Sequence, residues 1–213
     1  MHRFTRFGIV NAYFVGEDDG VTLIDTTLKG AGKALLAAAP EGKPITRVVL
    51  THGHADHVGA LDEIAGQLPG AEFLIPARDA RILGGDKSME AGEAQSKIKG
   101  GWPKVKTQLS TFEPGETIGS LQVIAAPGHT PGQVALLDPR DGTLYCGDAF
   151  ATIGEVRSCA RASWKFPLPG LATWDKATAT TTAHALMDLD PRTLAPGHGK
   201  PVSDPVAAMR AGS

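Results

Sequence analysis

Three histidines and a carboxylate fall within six residues in the stretch Thr51-His52-Gly53-His54-Ala55-Asp56-His57-Val58-Gly59. The run before them, Arg47-Val48-Val49-Leu50, is β-branched and apolar, which predicts a buried strand. Gly59-Ala60-Leu61-Asp62-Glu63-Ile64-Ala65 after them predicts the start of a helix. The polar cluster is therefore placed on a strand-to-helix connection. In extended backbone, residues two apart point to the same side, so His52 and His54 can reach one metal ion. Asp56 and His57 follow where the chain turns, and their side chains suit a second ion nearby. Gly53 and Ala55 are small enough to let four polar side chains crowd together. The helix that follows would aim its positive end at this loop and favour an anion there.

A His-rich surface loop would give the same composition, but the rest of the chain supplies matching groups. His129 stands in Pro127-Gly128-His129-Thr130-Pro131-Gly132, Asp148 in Cys146-Gly147-Asp148-Ala149, and His198 in Ala195-Pro196-Gly197-His198-Gly199. Each follows an apolar, strand-like run and is read here as part of a turn rich in Gly or Pro, where active-site loops at the end of a sheet are found.

On these residues, together with Leu23-Ile24-Asp25-Thr26, the chain resembles the metallo-β-lactamase-fold hydrolases over nearly all of its length. Five motifs occur in that family's order. The resemblance implies an α/β (α+β) fold, a four-layer αββα sandwich, in a single domain spanning 1–213. It implies that His52, His54 and His129 hold a first ion, that Asp56, His57 and His198 hold a second, and that Asp148 bridges them. Two Zn2+ are expected, with iron or manganese as alternatives. Asp56 is the expected catalytic residue, orienting a metal-bound hydroxide and carrying its proton to the leaving atom. Asp25 is expected to brace the metal loop rather than ligate.

Within the family, an Asp at position 148 resembles the glyoxalase II, lactonase and general hydrolase branch, whereas true β-lactamases of this fold usually have Cys or Ser there. Glyoxalase II has a C-terminal helical domain, and this chain ends about fifteen residues past His198, so that domain is not expected. Lactonases that act on acyl-homoserine lactones use a tyrosine near the metals; Tyr13 and Tyr145 both fall in predicted strands. The expected activity is dinuclear zinc-dependent hydrolysis of an ester, thioester or lactone. The alternatives are a mononuclear iron persulfide dioxygenase, whose arginine-containing stretch is not clearly matched by residues 149–161, a β-lactamase-like amide hydrolase, and a metal-binding interaction protein without turnover.

At 213 residues the chain can bury a sizeable core. The formal net charge of −2 and the lack of a basic run give no reason to expect a nucleic acid or a membrane surface as partner. A small-molecule substrate is expected, with the chain a monomer or a homodimer. The N-terminus lacks the apolar stretch of a signal peptide, and no segment approaches about 18 apolar residues, so a cytoplasmic location is expected. Cys146 and Cys159 do not make a disulfide framework. Cys146 reads as a buried thiol and Cys159 as a more accessible one. His2 and His184 read as solvated bystanders.

Two stretches lack clear periodicity, 84–106 and 149–172, and read as lid-like segments. The first allows a loose helix over Met89 to Ile98, and Met89, Ile98 and Trp102 are candidate substrate contacts, or else pack the segment onto the domain. The second holds Arg157, Cys159, Arg161, Trp164 and Phe166. A helix is predicted over Trp174 to Met187 with Thr173 as its N-cap, and another opening at Asp204-Pro205.

Overall fold

The computed structural model describes residues 1–161 and 163–213. In chain order the elements are β1 (His2–Arg6), β2 (Val10–Gly16), β3 (Val21–Ile24), α1 (Gly32–Ala37), β4 (Ile45–Val49), α2 (Ala55–Val58), α3 (Leu61–Ala65), β5 (Glu72–Pro76) and α4 (Ala77–Leu83). They continue with β6 (Ser110–Phe112), β7 (Thr117–Ile118), β8 (Leu121–Ala125), β9 (Val134–Asp138), β10 (Thr143–Ala151), β11 (Arg157–Ser158), α5 (Leu168–Ala172), α6 (Lys176–Asp188), β12 (Thr193–His198), β13 (Val202–Ser203) and α7 (Val206–Gly212). No helix among the described residues is long and apolar enough to cross a membrane.

The strands form one mixed 13-stranded sheet in the order β6-β5-β4-β3-β2-β12-β10-β9-β8-β7, with β1, β11 and β13 pairing off this path. Its two halves meet at a narrow seam, a single antiparallel pairing of His198 in β12 with Val10 in β2. Buried side chains reinforce the seam: Asn11 Nδ2 donates to the carbonyls of Pro196 (2.9 Å) and Gly199 (2.6 Å), and the Tyr13 hydroxyl donates to Pro196 (2.7 Å).

The alternation of side chains along each strand builds the layers. On β2, Tyr13 and Val15 face one core while Ala12 and Phe14 face another. The first core joins residues from both halves, among them Ile24, Val49 and Leu74 from one and Val123, Leu136 and Tyr145 from the other. It is the interior of a folded-over sheet. The second core packs Leu35 of α1 and Leu61 and Ile64 of α3 on the outer face of the first half. A third packs Ala183, Leu186 and Met187 of α6 and Met209 of α7 on the outer face of the second half. Helices thus cover both outer faces, the αββα layering that the resemblance implies, although hydrogen bonding makes the two sheets one.

Local differences from the sequence reading have identifiable causes. The chain opens with a hairpin that the sequence reading does not contain, β1 and β2, folded back at Phe7 and Gly8, whose φ angles are 53° and 73°. The helix expected from Gly59 forms as α3 from Leu61, and a separate one-turn helix, α2, precedes it and carries Asp56 and His57. Leading N–H groups of α2 are already used, Ala55 donating to Gly101 (2.8 Å) and His57 to His54 (2.9 Å), so this one-turn helix does not offer the anion site expected of it. No helix forms over 89–98. Asp175, not Thr173, caps α6, accepting from Thr178 N at 2.8 Å. Asp204 precedes α7, but Pro205 is its N-cap.

Candidate metal centre

All seven expected residues meet at the seam. His52 and His54 leave the end of β4, Asp56 and His57 follow on α2, His129 sits in the turn between β8 and β9, and His198 ends β12. Asp148 lies inside the long strand β10 rather than at a turn after it, where two register shifts against β12 bend the strand. The ligand atoms of His52, His54 and His129 lie within 4.8 Å of one another, and so do those of Asp56, His57, Asp148 and His198. Asp148 faces both groups. Its Oδ1 is 3.1 Å from His57 Nε2, while its Oδ2 is 3.3 Å from His129 Nε2 and 3.2 Å from His198 Nε2.

Each imidazole has one nitrogen pinned by the protein and the other turned to this focus. His52 Nδ1 meets Thr51 Oγ1 (3.1 Å), His57 Nδ1 meets Asp25 Oδ2 (2.7 Å), His129 Nδ1 meets Thr173 Oγ1 (3.2 Å) and His198 Nδ1 meets the Ile9 carbonyl (3.1 Å). His54 is reversed: its Nε2 meets the Lys99 carbonyl (3.1 Å), and its Nδ1 faces His129 Nε2 (3.0 Å). Such partners fix which ring nitrogen keeps its lone pair for a metal.

Asp25 braces the loop as expected. It accepts from Thr51 N (2.8 Å), Thr51 Oγ1 (2.8 Å) and His57 Nδ1, with its own backbone at a φ of 60°. Gly197 allows the close approach of β12, because a Cβ there would strike Asp148 Oδ1 and the His57 ring.

The fit to a pair of cations rests on orphaned atoms. His52 Nε2, His57 Nε2 and Asp148 Oδ1 are buried without a well-formed hydrogen bond, the last two facing each other at 3.1 Å. Buried polar atoms are rarely left so, and these three converge on one space. A set of imidazoles and carboxylates in this arrangement fits a dinuclear metal site.

The electrostatics divide the histidines. Burial lowers His52, His54 and His129, the last to about 3, so these rings are neutral donors at neutral pH. Burial also opposes charge on His57 and His198, but Asp148, with Asp25 or Asp56, outweighs it. His57 is raised well above the ordinary value and His198 to about 9. Burial opposes the negative charges too, yet the facing imidazoles hold Asp148 well below the usual carboxylate range and Asp56 at about 2.

Sequence reasoning missed three supporting residues. Asp79 is fully buried and ties two loops together, accepting from Gly53 N (2.9 Å), Thr130 Oγ1 (2.8 Å) and Gly132 N (2.8 Å). Burial lifts its pKa to about 6 despite those donors. Its signal was slight: a carboxylate three residues before the apolar Ile82 on one helix face. The Thr173 hydroxyl donates a hydrogen bond to the carbonyl of Pro169 (2.7 Å) or Cys159 (3.0 Å) while accepting from His129. Lys99 acts through its carbonyl, for which no sequence signal exists.

Other expectations settle differently. Met89 and Ile98 pack with Ile82 and Trp174 and do not line the cavity over the ligand cluster. Trp102 stacks edge-on against the His54 ring at 5.0 Å and donates from Nε1 to Lys99 O (2.7 Å). Tyr13 and Tyr145 are buried in the sheet interior. His2 and His184 are exposed and outside the cluster. Cys159, read as accessible, is buried like Cys146.

The centre floors a cavity of about 400 Å³ lined by Leu28, Asp56, Leu168, Leu171 and Ala172 among others. The sequence profile of the metallo-beta-lactamase superfamily matches residues 5–198. The chain is 47% identical to the uncharacterized protein YobT of Bacillus subtilis (strain 168), over 94% of this chain and 88% of that protein. It is 31% identical to a hydroxyacylglutathione hydrolase of Pseudomonas putida, over 76% of this chain but only 56% of that enzyme. Among solved structures it is similar to TTHA1623 in a di-iron-bound form, with a TM-score of 0.72, 25% identity, and coverage of 98% and 96% of the two chains. Motif order, layered fold and profile agree: the chain belongs to the metallo-β-lactamase superfamily.

Proposed function

We propose that this protein is a dinuclear metal-dependent hydrolase of an ester, thioester or lactone, with zinc the favoured metal. In this reading His52, His54 and His129 hold one ion, Asp56, His57 and His198 hold the other, and Asp148 contacts both. The observation that carries it is the orientation of five imidazoles, each pinned at one nitrogen, with the other nitrogens of His57, His129 and His198 within 3.3 Å of the Asp148 carboxylate and those of His52 and His54 gathered with that of His129. TTHA1623 was solved in a di-iron-bound form, so iron is the alternative to zinc.

A pair of divalent ions bound there would supply a hydroxide nucleophile near neutral pH and polarise the substrate carbonyl. The chain's own residues do the rest. Asp56 lines the cavity, stays ionised, and faces His198 Nε2 at 3.2 Å. It is placed to take the proton of the nucleophile and pass it to the leaving atom. Asp25 and Thr51 keep His52 and His57 from rotating as charge develops.

The test is metal analysis of the purified chain with turnover on an ester, thioester and lactone panel. About two zinc per chain with hydrolysis is the expected result. One iron per chain with oxygen uptake on glutathione persulfide would replace this reading with the dioxygenase one. Full loading with no turnover would leave a metal-binding protein.

A further inference from the structure

The walls of the cavity differ sharply from its floor. Its ionisable lining residues, His54, Asp56, His129, Asp148 and His198, all belong to the candidate metal centre. Among the described residues no Lys or Arg lines it. Lys99, beside the lining residue Gly100, turns its ammonium onto the Thr173 carbonyl at 2.8 Å. A substrate carboxylate would find no cation on the walls to receive it.

Above the floor the wall is apolar and open to water. Leu168 and Leu171 are 59% and 69% exposed, although both line the cavity. They are three apart on α5, so they share a helix face. Leu28 of the β3–α1 connection lines the same cavity. Beyond Met1, the exposed large apolar side chains among the described residues are Phe7, Ile9, Trp164, Leu168 and Leu171. They fall on two segments that both touch His198: Ile9 O accepts from its Nδ1, and the Phe166 ring lies 5.1 Å from its ring. Of these, Leu168 and Leu171 line the cavity itself, and exposed apolar surface beside a polar floor marks a site for an apolar ligand. The helix is also held in register with the metal loop, because Thr173 bonds both Pro169 O of α5 and His129 Nδ1.

We infer that the acyl portion of the substrate is an uncharged apolar chain that lies against Leu168 and Leu171. This rests on the hydrolase reading, which names the bond cleaved but not the group beside it. The scissile carbonyl sits over the metal floor, and the chain covers the two leucines and displaces water from them.

The experiment uses the zinc-loaded full chain and alkyl hydroxamates from acetyl to octanoyl, a probe series that needs no turnover. Affinity should rise about fourfold per methylene over the first few carbons. It should flatten in a Leu168→Ser/Leu171→Ser double variant, whose fold is safe because both side chains are already exposed. A hydroxamate ending in a carboxylate should bind more weakly than the methyl-ended chain of equal length. p-Nitrophenyl esters of the same lengths should give a parallel trend in kcat/KM. Equal affinity at every length, no effect of the double variant, or no hydroxamate binding at all would overturn the inference. Chain-length dependence without hydrolysis of any ester would sink the hydrolase reading, and with it this substrate, while leaving an apolar ligand site. Hydrolysis without chain-length dependence would do the reverse.

Discussion

His54 Nε2 lies 3.1 Å from the carbonyl oxygen of Lys99, a residue 45 positions further along the chain. That contact makes His54 the one histidine of the cluster that turns Nδ1 toward its partners. The 84–106 segment is therefore more than a cover over the site. Through residues 99–102 it sets the ring orientation of a candidate ligand, with Trp102 stacked against the same ring.

Gly100→Ala should break this arrangement. Gly100 has a φ of +77°, and a Cβ there would collide with the His54 ring. The residue is exposed, so the fold should survive. Loss of such a ring partner typically lowers metal affinity about 10- to 100-fold. Competition with a chelator should show weaker binding at one of two sites, with an unchanged far-ultraviolet dichroism spectrum.

Asp79→Ala should destabilise the protein by about 3 kcal/mol, because buried donors from Gly53, Thr130 and Gly132 lose their acceptor together. Denaturant unfolding measures this directly. Metal affinity should fall as well, since Asp79 joins the His52–His54 loop to the His129 turn. A variant as stable as the parent would show that water replaces the carboxylate.

Metal uptake should depend on pH at one site and not at the other. His198, raised to about 9, and His57, raised well above its ordinary value, hold protons that a cation must displace. Affinity for the site they share should rise with pH between pH 6 and 8, about tenfold per unit for each proton released. His52, His54 and His129 are lowered and carry no proton at neutral pH, so their site should be nearly flat between pH 6 and 9. Zinc titrations at pH 6, 7 and 8 should separate the two; parallel slopes would contradict the division.

Asp56→Asn should keep the fold and lower kcat at least about 100-fold, the usual contribution of a positioned proton carrier. The side chain is partly exposed, so core packing is not at stake. Wild-type turnover at equal metal content would remove Asp56 from the mechanism.

Neither cysteine should react with a thiol reagent in the native protein. Burial raises both thiols, Cys159 to about 12. A disulfide-exchange dye should detect none before unfolding and two per chain afterwards.

The candidate ligands were legible because histidine and aspartate at two-residue and adjacent spacings, each after a strand-like run, are read from local pattern alone. Asp25 was legible for the same reason, standing at the end of an apolar run. Helix starts and caps were less so: Asp175 and Thr173 are both good caps by residue type, and only the demand of His129 for an acceptor assigned Thr173 elsewhere. The helical reading of 89–98 failed because that stretch is held by contacts of Met89 and Ile98 with Ile82 and Trp174, which local propensity does not record.

The sequence by itself determined which side chains form the candidate ligand cluster and which strands deliver them, since both follow from short-range spacing and apolar patterning. Only the tertiary structure decided how the two halves of the sheet close at Val10 and His198, which nitrogen of each ring faces the centre, and that Asp79, Thr173 and the Lys99 carbonyl hold the arrangement. The physical reason is that a ring's orientation depends on an acceptor tens of residues away, and a backbone carbonyl has the same chemistry in every residue until the fold brings it to a partner.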